Sequence, residues 1–183
     1  MPFMIINHGA PGTGESTFSK EIANGINATI CSTDDFFIVD GAYEFNPKLL
    51  NNNHILNYRK ARNCCECGKN LIIDNTNCVK RNYKIYEELA EEYNYTVYNI
   101  YFKPNPGLSI ERNSHKVPID TINRFSYYLA CDFIDNMKEL KNMICKEEYK
   151  KNKLTEFKNK IYYKYIRRFI QKIKGNLKWL TFN

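Results

Sequence analysis

No apolar stretch in this 183-residue sequence approaches the roughly 18 residues that a membrane-crossing helix needs. The opening run, Met1-Pro2-Phe3-Met4-Ile5-Ile6-Asn7, has no basic flank and is too short for a secretory leader. A transmembrane or secreted protein is therefore not expected, and the expected location is cytoplasmic or nuclear. The seven cysteines are odd in number and read as reduced thiols. Three of them crowd at Cys64, Cys65 and Cys67, but a zinc site needs four placed ligands. The nearest further candidates, Cys78 and His54, lack a familiar spacing, so small apolar side chains at a helix end are the plainer reading. Compositional bias is also missing. With 43% hydrophobic and 26% charged residues, disorder and fibrous repeats are excluded. A domain of this length buries roughly 70% of its unfolded surface and needs neither disulfides nor metal to fold.

Acidic residues are scarce only at one end. Residues 146–183 hold twelve of the 27 Lys and Arg and three of the 20 Asp and Glu, a charge of +9. That leaves fifteen basic and seventeen acidic residues, or −2, for residues 1–145. The chain is therefore divided into a domain over 1–145 and a basic tail over 146–183.

Within the domain, the apolar run Phe3–Asn7 reads as a buried strand that breaks at Gly9. A glycine turn follows, then a helix from Ser16 with Phe18, Ile22 and Ile26 four residues apart. Thr29–Thr33 reads as a second strand, closed by Asp34-Asp35. Asn46-Pro47 predicts a helix start, with a cap followed by proline, and that helix is expected to stop at Gly68. Leu71–Asp74 is a third strand and Val79–Tyr93 a helix with Ile85, Leu89 and Tyr93 on one face. Tyr95–Phe102 is a fourth strand, broken by Lys103-Pro104-Asn105-Pro106-Gly107. Strands alternating with helices predict an α/β fold, a parallel sheet of four to five strands covered on both faces.

At the first strand-to-helix turn stands Gly9-Ala10-Pro11-Gly12-Thr13-Gly14-Glu15-Ser16-Thr17. A phosphate-binding loop has the form G-x-x-x-x-G-K-[ST] between a strand and a helix. Its glycines let backbone N–H groups converge on an anion at the helix N-terminus, and Ser16 falls where a hydroxyl would hold Mg²⁺. What is lacking is the lysine, whose position Glu15 occupies. At 4 Å and an effective dielectric near 20 such a lysine contact is worth about 4 kcal/mol. Its replacement by a carboxylate predicts a rate loss of several decades, since each ~1.4 kcal/mol is tenfold.

Together with Ser32-Thr33-Asp34-Asp35-Phe36-Phe37, Ile72-Ile73-Asp74-Asn75-Thr76-Asn77, Leu89-Ala90-Glu91-Glu92-Tyr93 and Arg112-Asn113-Ser114 leading to Val117-Pro118-Ile119-Asp120, the loop completes a recognisable order. Over about residues 3 to 130 the chain resembles the P-loop polynucleotide kinases, the phage-type enzymes and their cellular relatives that phosphorylate 5′-hydroxyl ends. The resemblance implies ATP and Mg²⁺, with Gly9, Pro11, Gly12, Thr13, Gly14, Glu15, Ser16 and Thr17 at the nucleotide. It implies Asp34 as general base beside Asp35, in keeping with the chemistry, because transfer to an alcohol needs a carboxylate near the acceptor oxygen. The carboxyl end of a strand is where open α/β sheets bind ligands. Phe37 falls where phage-type enzymes carry an acceptor-contacting arginine.

Asp74, ending the third strand, either orients Mg²⁺-bound water with Ser16 or caps the loop Asn75–Asn77. Arg112, on a helix expected beyond the fourth strand, takes the place of the family's lid arginine over the donor phosphates, with Arg124 second. His115 is near the lid, but a lone histidine carries no role by itself. In the tail, Leu154, Phe157, Ile161, Tyr165 and Phe169 recur about every four residues, with Lys and Arg on the other face. Such a basic amphipathic helix can dock on the domain, follow a phosphate backbone or lie peripherally on an anionic membrane. Tyr162, Tyr163 and Trp179 could stack on unpaired bases. The expected function is ATP-dependent phosphorylation of a 5′-hydroxyl polynucleotide end. The alternatives are an inactive pseudokinase that binds nucleic acid or protein, and a P-loop kinase for a small alcohol.

Overall fold

The computed structural model describes residues 1–139, with side chains through Asp132. Two compact units divide the chain, Met1–Ile134 and Asp135–Asn183. The basic helix expected over 146–179 lies outside the described residues. Among those described, no helix is long and apolar enough to cross a membrane.

The first unit is an α/β domain, as its sequence pattern predicts. Strand β1 (Phe3–His8) is buried over all six residues, which is why Phe3–Ile6 is a continuous apolar run and not an alternation. Helix α1 (Glu15–Ala23) follows, and then β2 (Ala28–Cys31), a short hairpin of β3 (Ile38–Val39) and β4 (Ala42–Tyr43), and α2 (Leu50–Glu66). Strand β5 (Asn70–Ile73), α3 (Lys80–Glu92), β6 (Thr96–Tyr101), α4 (Pro106–Glu111) and α5 (Ile119–Glu139) complete the order. The main sheet runs β2-β5-β1-β6 and is wholly parallel, with Ile5 paired to Ile72 on one side and to Tyr98 on the other. All four strands therefore end at one edge, where His8, Cys31, Ile73 and Tyr101 hand over to loops.

Met4, Ile6, Leu71 and Ile73 pack against Tyr83, Tyr86, Leu89 and Ala90 of α3, with Cys64 and Cys65 from the end of α2 in the same cluster. The face expected for α3 needs one correction, because Ile85 is 42% exposed. The buried stripe runs through Tyr83, Tyr86 and Ala90, and Ile85 lies too far round the helix to reach it. Two further elements begin or end differently from expectation. Asn46 caps a 3-10 turn over Pro47–Leu49 before α2 begins. β2 stops at Cys31, and Asp34–Phe37 forms a separate 3-10 turn.

Candidate nucleotide and acceptor site

The glycine loop leaves β1 and enters α1 at that common edge. Gly12 and Gly14 have φ of 81° and 105°, the left-handed region that glycine occupies without steric cost. Gly12 is doubly constrained, since a Cβ there would stand 2.9 Å from the Ser109 carbonyl oxygen. Helix α4 thus rests directly on the loop. Thr13 closes the turn, its N–H and Oγ1 both donating to the Ala10 carbonyl at 3.1 and 2.9 Å. The Gly9 N–H donates to the Thr76 carbonyl at 2.9 Å, tying the loop to the chain beyond β5. Pro11 is half-buried in the loop, while Ser16 and Thr17 are exposed on the first turn of α1.

Glu15 does not project toward solvent as a free charge. It is 8% exposed, and its side chain folds back so that a Cβ on Gly9 would overlap its Cγ, Cδ and Oε1. Burial pushes the carboxyl up to about 7, with the charge of Asp74 adding to the rise. The Glu15 and Gly14 N–H groups and the Thr13 hydroxyl act in the opposite sense. Amides at the mouth of the loop thus face a carboxyl of the chain itself, one that exchanges its proton near neutral pH.

Asp74 is also buried, at 8% exposure. Its Oδ1 accepts from Asn7 Nδ2 at 3.2 Å and from Ser19 Oγ at 3.0 Å, and the neighbouring Ser16 hydroxyl favours its ionised form. Burial raises its pKa despite these partners. These bonds come from β1 and α1, not from the Asn75–Asn77 loop. Ser16 and Asp74 therefore present a hydroxyl and a carboxylate side by side. This oxygen pair fits Mg²⁺, which takes one or two carboxylates and fills its remaining positions with phosphate and water.

Asp34 opens the 3-10 turn after β2 and is exposed. The Asn75 side chain accepts the Thr33 N–H at 3.0 Å, fixing the end of β2 against that of β5. Tyr43, from β4, donates its hydroxyl to Asp34 Oδ1 at 3.1 Å. Asp34 and Asp74 feel each other's charge, as do Asp74 and Glu15, so three carboxyl groups line this edge. Asp35 diverges from its neighbour and pairs with Lys60 of α2 at 2.9 Å. His54 meets the Thr33 hydroxyl at 3.1 Å, and burial lowers its pKa against the pull of Asp34.

Arg112 caps the C-terminus of α4 instead of lying within a helix, three residues beyond the Ser109 that touches Gly12. Arg124 lies on α5 with its guanidinium 5.9 Å from the Phe125 ring centroid. Both are exposed. The sequence reading missed the β3–β4 hairpin and with it Tyr43, although Asp40-Gly41 is a strong hairpin-turn dipeptide. It also left His115 without a role. The His115 ring packs edge-on to Tyr43 with centroids 4.1 Å apart.

A central β1, the glycine loop it feeds and the Ser16–Asp74 pair define a P-loop kinase-like domain. A family model described as an AAA domain matches residues 4–123, and the chain belongs to that family. The human NEDD4-binding protein 2 is 31% identical over 127 residues, covering 66% of this chain and 7% of the human protein. One chain of a Pnkp1/Rnl/Hen1 RNA repair complex superposes with a TM-score of 0.63 at 20% identity, covering 73% of this chain and 46% of that one. A chain from another structure of a Pnkp1/Rnl/Hen1 complex gives 0.54 at 22% identity, covering 64% and 40%. This chain thus spans less than half of each of these relatives.

Proposed function

We propose that this domain transfers the γ-phosphoryl group of ATP to the 5′-hydroxyl end of a polynucleotide. The observation that carries the reading is the meeting, at one sheet edge, of the Ser16–Asp74 pair with Asp34, close enough for the two aspartates to influence each other. The resemblance of the motifs to polynucleotide kinases and the RNA repair complexes among the structural neighbours support the acceptor class. Asp34 takes the proton of the acceptor hydroxyl as its oxygen bonds to the γ-phosphorus. The bond from that phosphorus to the β,γ-bridging oxygen breaks, and ADP leaves. Ser16 and Asp74 would hold Mg²⁺, which would supply neutralisation of charge on the donor phosphates. Gly9, Pro11, Gly12, Thr13, Gly14 and Thr17 shape the cradle, and Arg112 and Arg124 clamp the donor phosphates from the α4–α5 side. The basic tail follows the phosphate backbone of the acceptor.

A second reading is favoured by one observation, the burial of Glu15 against Gly9. In it the domain keeps its fold as a binding module while the donor site stays blocked. Transfer of labelled γ-phosphate from ATP to a 5′-hydroxyl oligonucleotide separates the two. Labelling by the chain itself, abolished in Asp34→Ala, establishes the kinase. Labelling only after Glu15→Lys establishes an intact acceptor site behind a blocked donor site. Absence of labelling in both, with the oligonucleotide still bound, establishes the binding module.

A further inference from the structure

The side chains around Asp34 include an aromatic group that phosphoryl chemistry does not require. Phe37 is 1% exposed and forms its base, with ring centroids 6.1 Å from Tyr43 and 5.1 Å from Phe45. Tyr43 holds Asp34 through its hydroxyl and carries His115 against its ring. Phe45 is 54% exposed, and His115 is exposed as well. His115 is not on a loose loop. The Asn113 side chain accepts the Val117 N–H at 2.8 Å and donates to the Val117 carbonyl at 2.7 Å, closing the turn that bears it. Three rings are thus held in place beside a carboxylate, with aromatic surface left in water. Phe37 packs beneath Tyr43 and Phe45, so this corner offers π-faces.

We propose that Phe45, Tyr43 and His115 form a shelf on which the terminal base of a single-stranded acceptor stacks. This inference rests on the polynucleotide reading above and deepens it by assigning the acceptor-end subsite. Every base has a π-face, so a shelf of this kind is tolerant of sequence. One sugar separates a stacked base from its 5′ oxygen, and the Tyr43–Asp34 bond joins the shelf to the carboxylate that receives the proton. The terminal base is then gripped by stacking.

Acceptor binding needs no nucleotide in the donor loop, so Glu15 does not enter the test. A 5′-hydroxyl oligothymidylate with 2-aminopurine as its first base reports stacking by loss of fluorescence. Its affinity is compared with that of the same strand with an abasic first position. The abasic end should bind roughly tenfold to a hundredfold more weakly. Phe45→Ala should lose the same factor and with it the preference for a base, while Phe45→Trp keeps both. Unfolding curves for each variant confirm that this exposed position leaves the fold intact. Equal affinity for the base-bearing and abasic ends, or a preference that survives Phe45→Ala, overturns the shelf while leaving the polynucleotide reading standing. Absence of binding to either strand overturns that reading and the shelf with it.

Discussion

Glu15 and Gly9 share one volume: the carboxyl of the first helical residue fills the space that a side chain on the first residue of the loop would need. This contact explains why a carboxyl at a position that ordinarily holds lysine is buried instead of extended. It also makes the loop sensitive to pH.

A carboxyl whose pKa rises from 4.5 to about 7 on folding binds its proton more tightly folded than unfolded. Its stabilising contribution is complete below the unfolded value and is lost as pH climbs through the folded one. Across that window the protein should lose about 3 kcal/mol relative to Glu15→Gln. Thermal unfolding of both proteins from about pH 4.5 to pH 8 should show the variant gaining ground steadily. A gap that stays constant would show that Glu15 does not titrate in the folded state.

Nucleotide affinity should follow the same proton. The neutral acid does not repel a phosphate, whereas the carboxylate does, so ATP should bind more tightly near pH 6 than near pH 8. In Glu15→Lys the trend should vanish and the affinity rise at least tenfold, given about 4 kcal/mol for a close charge contact at an effective dielectric near 20. Equilibrium dialysis at the two pH values decides. Weaker binding near pH 6 would be the wrong sign.

Tyr43→Phe keeps the ring against Phe37 and His115 but removes the hydroxyl that orients Asp34. Turnover should fall roughly tenfold, the value of one hydrogen bond to a charged group, with acceptor KM little changed. Steady-state kinetics, run in Glu15→Lys if the chain itself is slow, separates the two parameters. A change confined to KM would assign Tyr43 to binding alone.

Gly12 and Gly14 both adopt positive φ, but only Gly12 has a neighbour in the way. Gly14→Ala should cost about 1 kcal/mol of backbone strain. Gly12→Ala should cost more, and should push α4 off the loop as well. Amide exchange over residues 106–112 should accelerate in Gly12→Ala and stay unchanged in Gly14→Ala. Equal exchange in both would dissociate α4 from the loop.

The sheet was legible because parallel strands with both faces covered write themselves as unbroken apolar runs, as in Phe3–Ile6 and Leu71–Ile73. The loop was legible because glycine spacing is dictated by backbone geometry. Spacing does not reveal a rotamer, so the sequence put Glu15 at the lysine position of the loop without showing that it folds back on Gly9. The two-residue strands β3 and β4 are too short to carry a period, which hid Tyr43. His115 takes its meaning only from the ring across from it, a contact between residues 72 positions apart. On α3, four-residue spacing drew Ile85 into the core stripe, where the helix's 3.6-residue turn carries it out to solvent.

The strand that carries the glycine loop sits between β5 and β6, and both come much later in the chain. During synthesis β1 is made first and paired last: Met4 waits for Leu71, and His8 for Tyr101. At ordinary elongation rates that is on the order of ten seconds with two bare edges. An unpaired apolar strand is a template for the wrong neighbour. Fragments ending before residue 96 leave β1 without its β6 partner, so the unfinished chain exposes an apolar strand edge that the folded domain covers.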